Sequence, residues 1–227
     1  ITRESNPKLM DVVYAAGWCA NSDYMTNVEC EAITGNDFEN FANREGANQI
    51  ESFTELKYFV NVTFIPYSAF HFNSNKLKHI TFPDGLTSIG ASAFQGCFGL
   101  KELVIPEGVT EIPTSMCFYC HDMTTVEIKG KVKSIGADAF YKCSLVKITA
   151  DFSELESIGQ GAFEDCCYLG VVDLSNSKLT EIPDSAFKTE ETLYGVAPLK
   201  IYLPPTITSV GSKAFANPGI EEITFLS

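Results

Sequence analysis

The chain has 227 residues, 45% of them hydrophobic and 20% charged, a composition that fits a folded protein with a large core. Its net charge of −13 leaves no basic patch for a phosphate backbone, which excludes nucleic-acid binding and disfavours anionic membrane surfaces. No apolar run approaches the roughly 18 residues of a membrane span, so direct membrane insertion is not expected. The opening ITRESNPKLMD lacks the basic-then-apolar pattern of a secretory signal. Either the protein is not exported, or the signal lies upstream and has been removed.

Residues 1–55 carry ten acids against three bases, and residues 56–227 carry nineteen against thirteen. In the first stretch, apolar residues at 9, 10, 12, 13 and 16 predict a helix from Pro7, ended by Gly17. Thr26-Asn27-Val28-Glu29 and Ser52-Phe53-Thr54-Glu55 both have the capping-box form, which predicts short helices starting near 27 and 53. Residues 1–55 are therefore read as a small helical N-terminal cap, which a repeat array needs to keep its first apolar layer out of water.

From residue 56 a single frame recurs. Leu77 to Cys97 reads LKHITFPDGLTSIGASAFQGC, and Leu100 to Cys120 reads LKELVIPEGVTEIPTSMCFYC. Cys97, Cys120, Cys143 and Cys166 stand 23 residues apart, a period that signals a leucine-rich-repeat solenoid. Alanine–phenylalanine pairs mark the turns at Phe70, Phe94, Phe140, Phe163, Phe187 and Phe215, with Met116-Cys117 in the same slot of the third turn. Each unit opens with an alternating strand such as Leu100 to Pro106, which the proline ends. A second short extended piece then runs into the turn. The expected fold is a leucine-rich repeat solenoid of about seven turns over residues 56–227, α/β in class, with mostly short parallel strands and irregular turns. An insertion, Lys188 to Pro198, widens the last interval to 28. The final strand, Ile220 to Leu226, has no following turn, so it is either an open edge or the end of a truncated array. Glu221 and Glu222 would discourage edge pairing there.

The register accounts for most of the eight cysteines. The four at the 23-residue period are predicted to form a column of buried free thiols. Neighbouring turns lie about 4.8 Å apart, but the parallel Cβ vectors do not converge as a disulfide needs. Cys117 and Cys120 form a CxxC that the frame explains as a turn residue and a ladder residue. Cys167 is the candidate reactive thiol. Cys19 and Cys30 lie outside the repeats, and whether they are bridged stays open. His71, His79 and His121 fall at unrelated frame positions with no partner at metal-ligand spacing. No catalytic, cofactor or metal residue is expected, and the protein is read as a non-enzyme.

The surface that sequence does map is the concave strand face. Its outward positions are His79 and Thr81, Glu102 and Val104, Thr125 and Glu127, Lys147 and Thr149, Val171 and Asp173, Lys200 and Tyr202, then Glu222 and Thr224. They mix signs and hold one aromatic, so neither an anchor cluster nor an aromatic row for sugar rings is visible. A binding face and a merely solvated face remain equal readings.

The frame L-x-x-I-x-L-P-x-x-L-T-x-I-G-x-x-A-F-x-x-C resembles the BspA-like class of leucine-rich repeats, over residues 56 to 227. Ser52 to Pro66 also looks like the lead-in to the first full repeat in some members. The resemblance implies an extracellular or cell-surface bacterial protein acting in protein recognition or adhesion, with a protein partner such as host extracellular matrix. The alternatives are a glycan-binding module for polysaccharide capture and a spacer without ligand. Some members carry a calcium-loop-like segment upstream, and Met25, Thr26 and Glu29 match its last positions. With Glu29 twelfth, Trp18, Ala20 and Ser22 stand where early oxygen ligands belong, and Asp23 stands where glycine is needed. No calcium is expected there.

Overall fold

The computed structural model describes residues 1–71, 76–190 and 195–225. Helix α1, Pro7–Ala15, starts at an Asn6 cap whose side chain accepts from the Leu9 N–H, and Gly17 follows it at φ 73°. Helix α2, Asn27–Ala32, has the expected capping box between Thr26 and Glu29. The expected helix near 53 is corrected. Ser52–Phe53 is a strand, paired in parallel with His79–Ile80, and Thr54–Tyr58 is a 3-10 turn. The Glu55 carboxylate is engaged by the Asn6 amide at 3.0 Å and by Thr54 Oγ1, not by the backbone of Ser52. Ladder pairing with the next coil outweighs the local cap.

The remainder is a parallel β-solenoid. On one side the longer strands stack as Glu102–Ile105, Thr125–Lys131 and Lys147–Asp151, then Val171–Asp173, Leu199–Leu203 and Ile220–Phe225. The final strand's expected end, Leu226, lies outside the described residues, as do residues 191–194 of the expected insertion. A second row of two-residue strands, among them Ser88–Ile89 and Glu111–Ile112, stacks on an adjacent side. Among the described residues the repeats contain no α-helix; both helices precede residue 33.

The turns close the third side with a regular backbone pattern. Residues two before the turn phenylalanine adopt positive φ in every coil: Ser68, Ser92, Ser115, Asp138, Gly161, Ser185 and Lys213. That left-handed geometry turns alternate peptide groups parallel to the stacking axis. The N–H of Phe94 donates to Met116 O at 2.9 Å, Phe140 to Ala162 O at 2.9 Å, and Phe187 to Ala214 O at 2.8 Å. The pattern reaches into the cap, where the Ala42 N–H donates to Ala69 O at 2.9 Å and Asn40 stands at φ 58°. Phe41-Ala42 is thus a degenerate turn with the usual Ala-Phe order reversed. Elsewhere the Ile–Gly step marks contact between coils. A Cβ on Gly159 would lie 2.2 Å from Ala137 N, so only glycine fits there.

One continuous apolar core runs from Leu9 to Ala214. Its axis is a phenylalanine stack, with Phe70 on Phe94 at 5.2 Å and Phe140 on Phe163 at 5.5 Å, followed by Phe187 and Phe215. Cys117 interrupts it. The ladder cysteines are fully buried free thiols, and each meets a backbone carbonyl. Cys97 Sγ donates to Phe70 O at 3.2 Å, Cys120 to Phe94 O, Cys143 to Cys117 O and Cys166 to Phe140 O, each of the last three at 3.1 Å. The column is therefore tied between coils by hydrogen bonds to turn carbonyls, and within it the Cys120 thiol also meets those of Cys117 and Cys143. Burial pushes the thiols of Cys117, Cys143 and Cys166 well up, so they stay protonated.

Two measurements check this arrangement. Thiol reagents are expected to label the native ladder cysteines slowly and all four after denaturation; rapid native labelling contradicts the burial. Phe140→Ala is expected to cost about 3–5 kcal/mol in denaturant melts, as for a buried ring. Glu127→Ala, on the exposed side of its strand, is expected to change stability by about 0.5 kcal/mol or less.

Candidate functional site

The strand side presents alternating side chains on a ladder whose register is fixed by the buried partners. Along Thr125–Lys131 the odd positions are outward and Val126, Ile128 and Gly130 are inward. Pairing aligns Glu102, Thr125 and Lys147 in one row, and Val104, Glu127 and Thr149 in a second. Farther along, Val171, Lys200 and Glu222 form one row, and Asp173, Tyr202 and Thr224 the other. His79, Thr81, Val104, Lys147, Thr149, Val171 and Asp173 are exposed; Lys200, Tyr202, Glu222 and Thr224 are half-buried. Twelve of the fourteen expected positions thus fall into two sets of ladder rows, while His79 pairs with Ser52 and Thr81 follows that short strand. Lys200 Nζ lies 4.0 Å from Glu221 and 3.8 Å from Glu222, both loose contacts.

The two sets of rows are not continuous. Lys147–Asp151 and Val171–Asp173 share no ladder, so the sheet divides between them. Two changes in the frame coincide with this division. Only Ser144 separates Cys143 from Leu145, where two residues separate Cys120 from Met123, and one residue is regained between Ala150 and Leu155. Ala150 also stands where Ile105, Ile128 and Leu174 fill other coils. An open groove of about 540 Å³ results, lined by Val146, Ile148, Ala150, Phe152, Gly170 and Val171, with Lys147, Thr149 and Asp173 at its rim. The cysteine spacing, still 23, conceals the compensating shifts.

A second feature that sequence reasoning missed is a group of rings on the turn side. Phe118 stacks on Tyr141 at 4.7 Å and meets Tyr119 edge-on at 4.7 Å, while His121 stacks on Phe98 at 5.5 Å. The Lys142 ammonium lies over the Tyr119 and Tyr141 rings at 5.3 and 5.4 Å. Its signal in sequence is the two positions after the turn residue, aromatic in adjacent coils at Phe118-Tyr119 and Tyr141. The rings cover one another's faces, as cladding over the thiol column would.

Reactive chemistry finds little support in the geometry. Cys117 and Cys120 are fully buried, which removes the CxxC from contact with substrates. The candidate thiol, Cys167, is half-buried and donates to Asp165 O at 3.4 Å; burial and Asp165 raise its pKa, leaving it a weak nucleophile at neutral pH. Cys19 and Cys30 are buried free thiols. Among the described residues no group of three His, Cys, Asp or Glu side chains converges to hold a metal ion.

In the first turn of α2, Glu29 is used by its own chain. Oε1 accepts from the Ala20 N–H at 2.7 Å, and Oε2 accepts from the Thr26 N–H at 2.7 Å and Thr26 Oγ1 at 2.8 Å. These bonds, the Thr26 N–H foremost, hold its pKa below the usual carboxylate value. A depressed folded pKa contributes stability above the unfolded value of about 4.3, and that contribution is lost as pH falls through the folded value. Glu29→Gln is therefore expected to melt below the wild type at pH 7 and to converge with it in acid. Replacing chelator with millimolar calcium is expected to leave the wild-type melting temperature unchanged; a rise that disappears in Glu29→Ala contradicts this reading.

Comparison with known proteins places this geometry. The profile of the BspA type leucine rich repeat region matches residues 45–167 and 114–227 in six copies. No curated protein matches the chain. A leucine-rich repeat protein from Eubacterium ventriosum is similar at 26% identity and TM-score 0.56, over 75% of this chain and 43% of that one. A leucine rich cell surface protein from Faecalibacterium prausnitzii has 24% identity and TM-score 0.48, over 72% and 51%. A leucine-rich repeat protein from Bacteroides ovatus has 19% identity and TM-score 0.49, over 78% and 52%. The chain spans about half the length of these structures or less. With the repeat profile covering most of the sequence and the coils stacked as parallel ladders, the chain belongs to the BspA-type leucine-rich repeat family.

Proposed function

We propose that this chain is a non-enzymatic recognition or adhesion module, displayed outside a bacterial cell, that binds a protein partner through its strand face. One observation carries the reading: rows of outward side chains held in register on a ladder whose opposite side is core. A flat, preordered array of independent positions suits a protein surface, because binding orders little of the module itself. The family supports a surface location. Among the described residues no helix is long and apolar enough to cross a membrane.

Charge reversal separates the faces. Lys147→Glu with Lys200→Glu alters the strand side, and Lys142→Glu with Lys213→Glu alters the turn side. Against an array of purified extracellular-matrix proteins, the first pair is expected to weaken binding several-fold and flatten its salt dependence, and the second to change it little. Binding kept by the first pair and lost by the second places recognition on the turns instead.

A further inference from the structure

The strand ladders break at two places, and both strand sides break at the same coils. The longer strands pair as Ser52–Phe53 with His79–Ile80, then Glu102–Ile105 through Lys147–Asp151, then Val171–Asp173 through Ile220–Phe225. The short strands pair as Phe64–Ile65 with Ser88–Ile89, then Glu111–Ile112 through Ser157–Ile158, then Glu181–Ile182 with Ser209–Val210. Each break leaves an open groove on the strand face, about 510 Å³ beside Val104 and about 540 Å³ beside Val171.

Proline marks both breaks. After the short strand, Gly90, Gly136, Gly159 and Gly211 each donate their N–H to the preceding coil's isoleucine carbonyl at 2.7 Å. Pro113 and Pro183 hold that place in the coils just after the breaks, and proline has no N–H to give. Bulk acts in the same sense. A Cβ added at Gly136 would lie 2.4 Å from Thr114 N of the preceding coil, so close stacking there needs glycine.

The turn side, in contrast, is continuous. Across the first break the Phe94 N–H donates to Met116 O at 2.9 Å, and across the second the Phe163 N–H donates to Ala186 O at 2.9 Å, the length found at Phe140 inside the middle coils. The two junctions differ in what else holds them. Across the second, the Lys178 N–H still reaches Leu155 O at 2.9 Å, and Phe163 stacks on Phe187. Across the first, Cys117 stands where Phe94 would meet the next ring, and the Asp122 N–H bond to Phe98 O, at 3.2 Å, lies beside the turn.

We infer that the array is three blocks, divided after Cys97 and after Cys166, and hinged at two proline-marked junctions that open and close on the strand face while the turn side stays bonded. In a linear array each coil is held by its neighbours alone, so the junctions with the fewest ties open first. The first junction opens further than the second. The device lets the strand face change its curvature, and it does not depend on what that face binds.

The test uses the full chain with ketone-bearing residues, which take spin labels and leave the native thiols untouched. Thr81 with Glu127 spans the first junction, Glu127 with Asp173 spans the second, and Val104 with Thr149 lies within the middle block, each pair two coils apart. Electron–electron distance distributions are expected to be about twofold broader across the first junction than within the block, with the second junction between them. Pro113→Gly, which copies the four glycine coils, is expected to narrow the first distribution to the width found within the block. Pro113→Ala restores the N–H but keeps a Cβ, and is expected to narrow it less. In the wild type, the Phe94 and Phe163 amides are expected to exchange with solvent as slowly as that of Phe140. Equal widths for the three wild-type pairs overturn the inference, and this comparison holds whether or not a variant folds. Faster exchange at Phe94 and Phe163 than at Phe140 overturns it too, because the turn side is then no hinge. A Pro113→Gly protein that keeps the wild-type circular dichroism and the broad distribution also overturns it.

Discussion

Alternate peptide N–H groups in each turn find their acceptors only on the next coil. The peptide N–H groups of Ser92, Phe94 and Gly96 point out of their own turn and are satisfied by Thr114, Met116 and Phe118. Without that neighbour they would be left to water, forgoing about 0.5–1.5 kcal/mol each. The left-handed residues that make this possible, serine in four of the seven coils, accept a backbone conformation uncommon outside glycine. Local strain is thus exchanged for axial bonding, and a single coil has no reason to adopt the shape alone. The cysteine thiols add a second tie, since the carbonyls of Phe94, Cys117 and Phe140 close their own 3-10 bonds and also accept from a thiol of the following coil.

This dependence explains why the frame is so visible in sequence. A small buried position next to a flat ring repeats as Ala-Phe in six of the seven coils, and Met116-Cys117 fills the slot in the other. Phe163 on Phe187, with ring planes 4° apart, shows how closely each ring follows the last. The strand positions were legible for a similar reason, as inward residues pack and outward ones do not.

What escaped the sequence escaped for identifiable reasons. Phe41-Ala42 performs the turn with its residues reversed, so a search for Ala-Phe passes over it, although the axial bond to Ala69 is the usual one. Ser52 to Glu55 carries a sound helix-start signal that loses to strand pairing with His79–Ile80, a contact 27 residues away in the chain. The divided sheet was hidden because one residue lost after Cys143 is regained before Leu155, leaving the cysteine interval intact. The ring cluster around Tyr119 lies in positions the frame leaves free, where composition gives no hint of which side chains will meet.

The axial turn bonds also share one direction. In each, the N–H points toward the later coil and the carbonyl toward the earlier one, from Ala42 donating to Ala69 through to Thr189 donating to Ala216. Peptide dipoles aligned in series add, as they do along a helix. The turn side of this protein is therefore an electrical rod, partially positive toward Lys213 and partially negative toward Asn40. Polarity of this kind belongs to the backbone, grows with each coil stacked, and survives any exchange of surface side chains. It gives an otherwise repetitive surface two distinguishable ends, so an approaching charged molecule meets a direction along the array as well as a place on it.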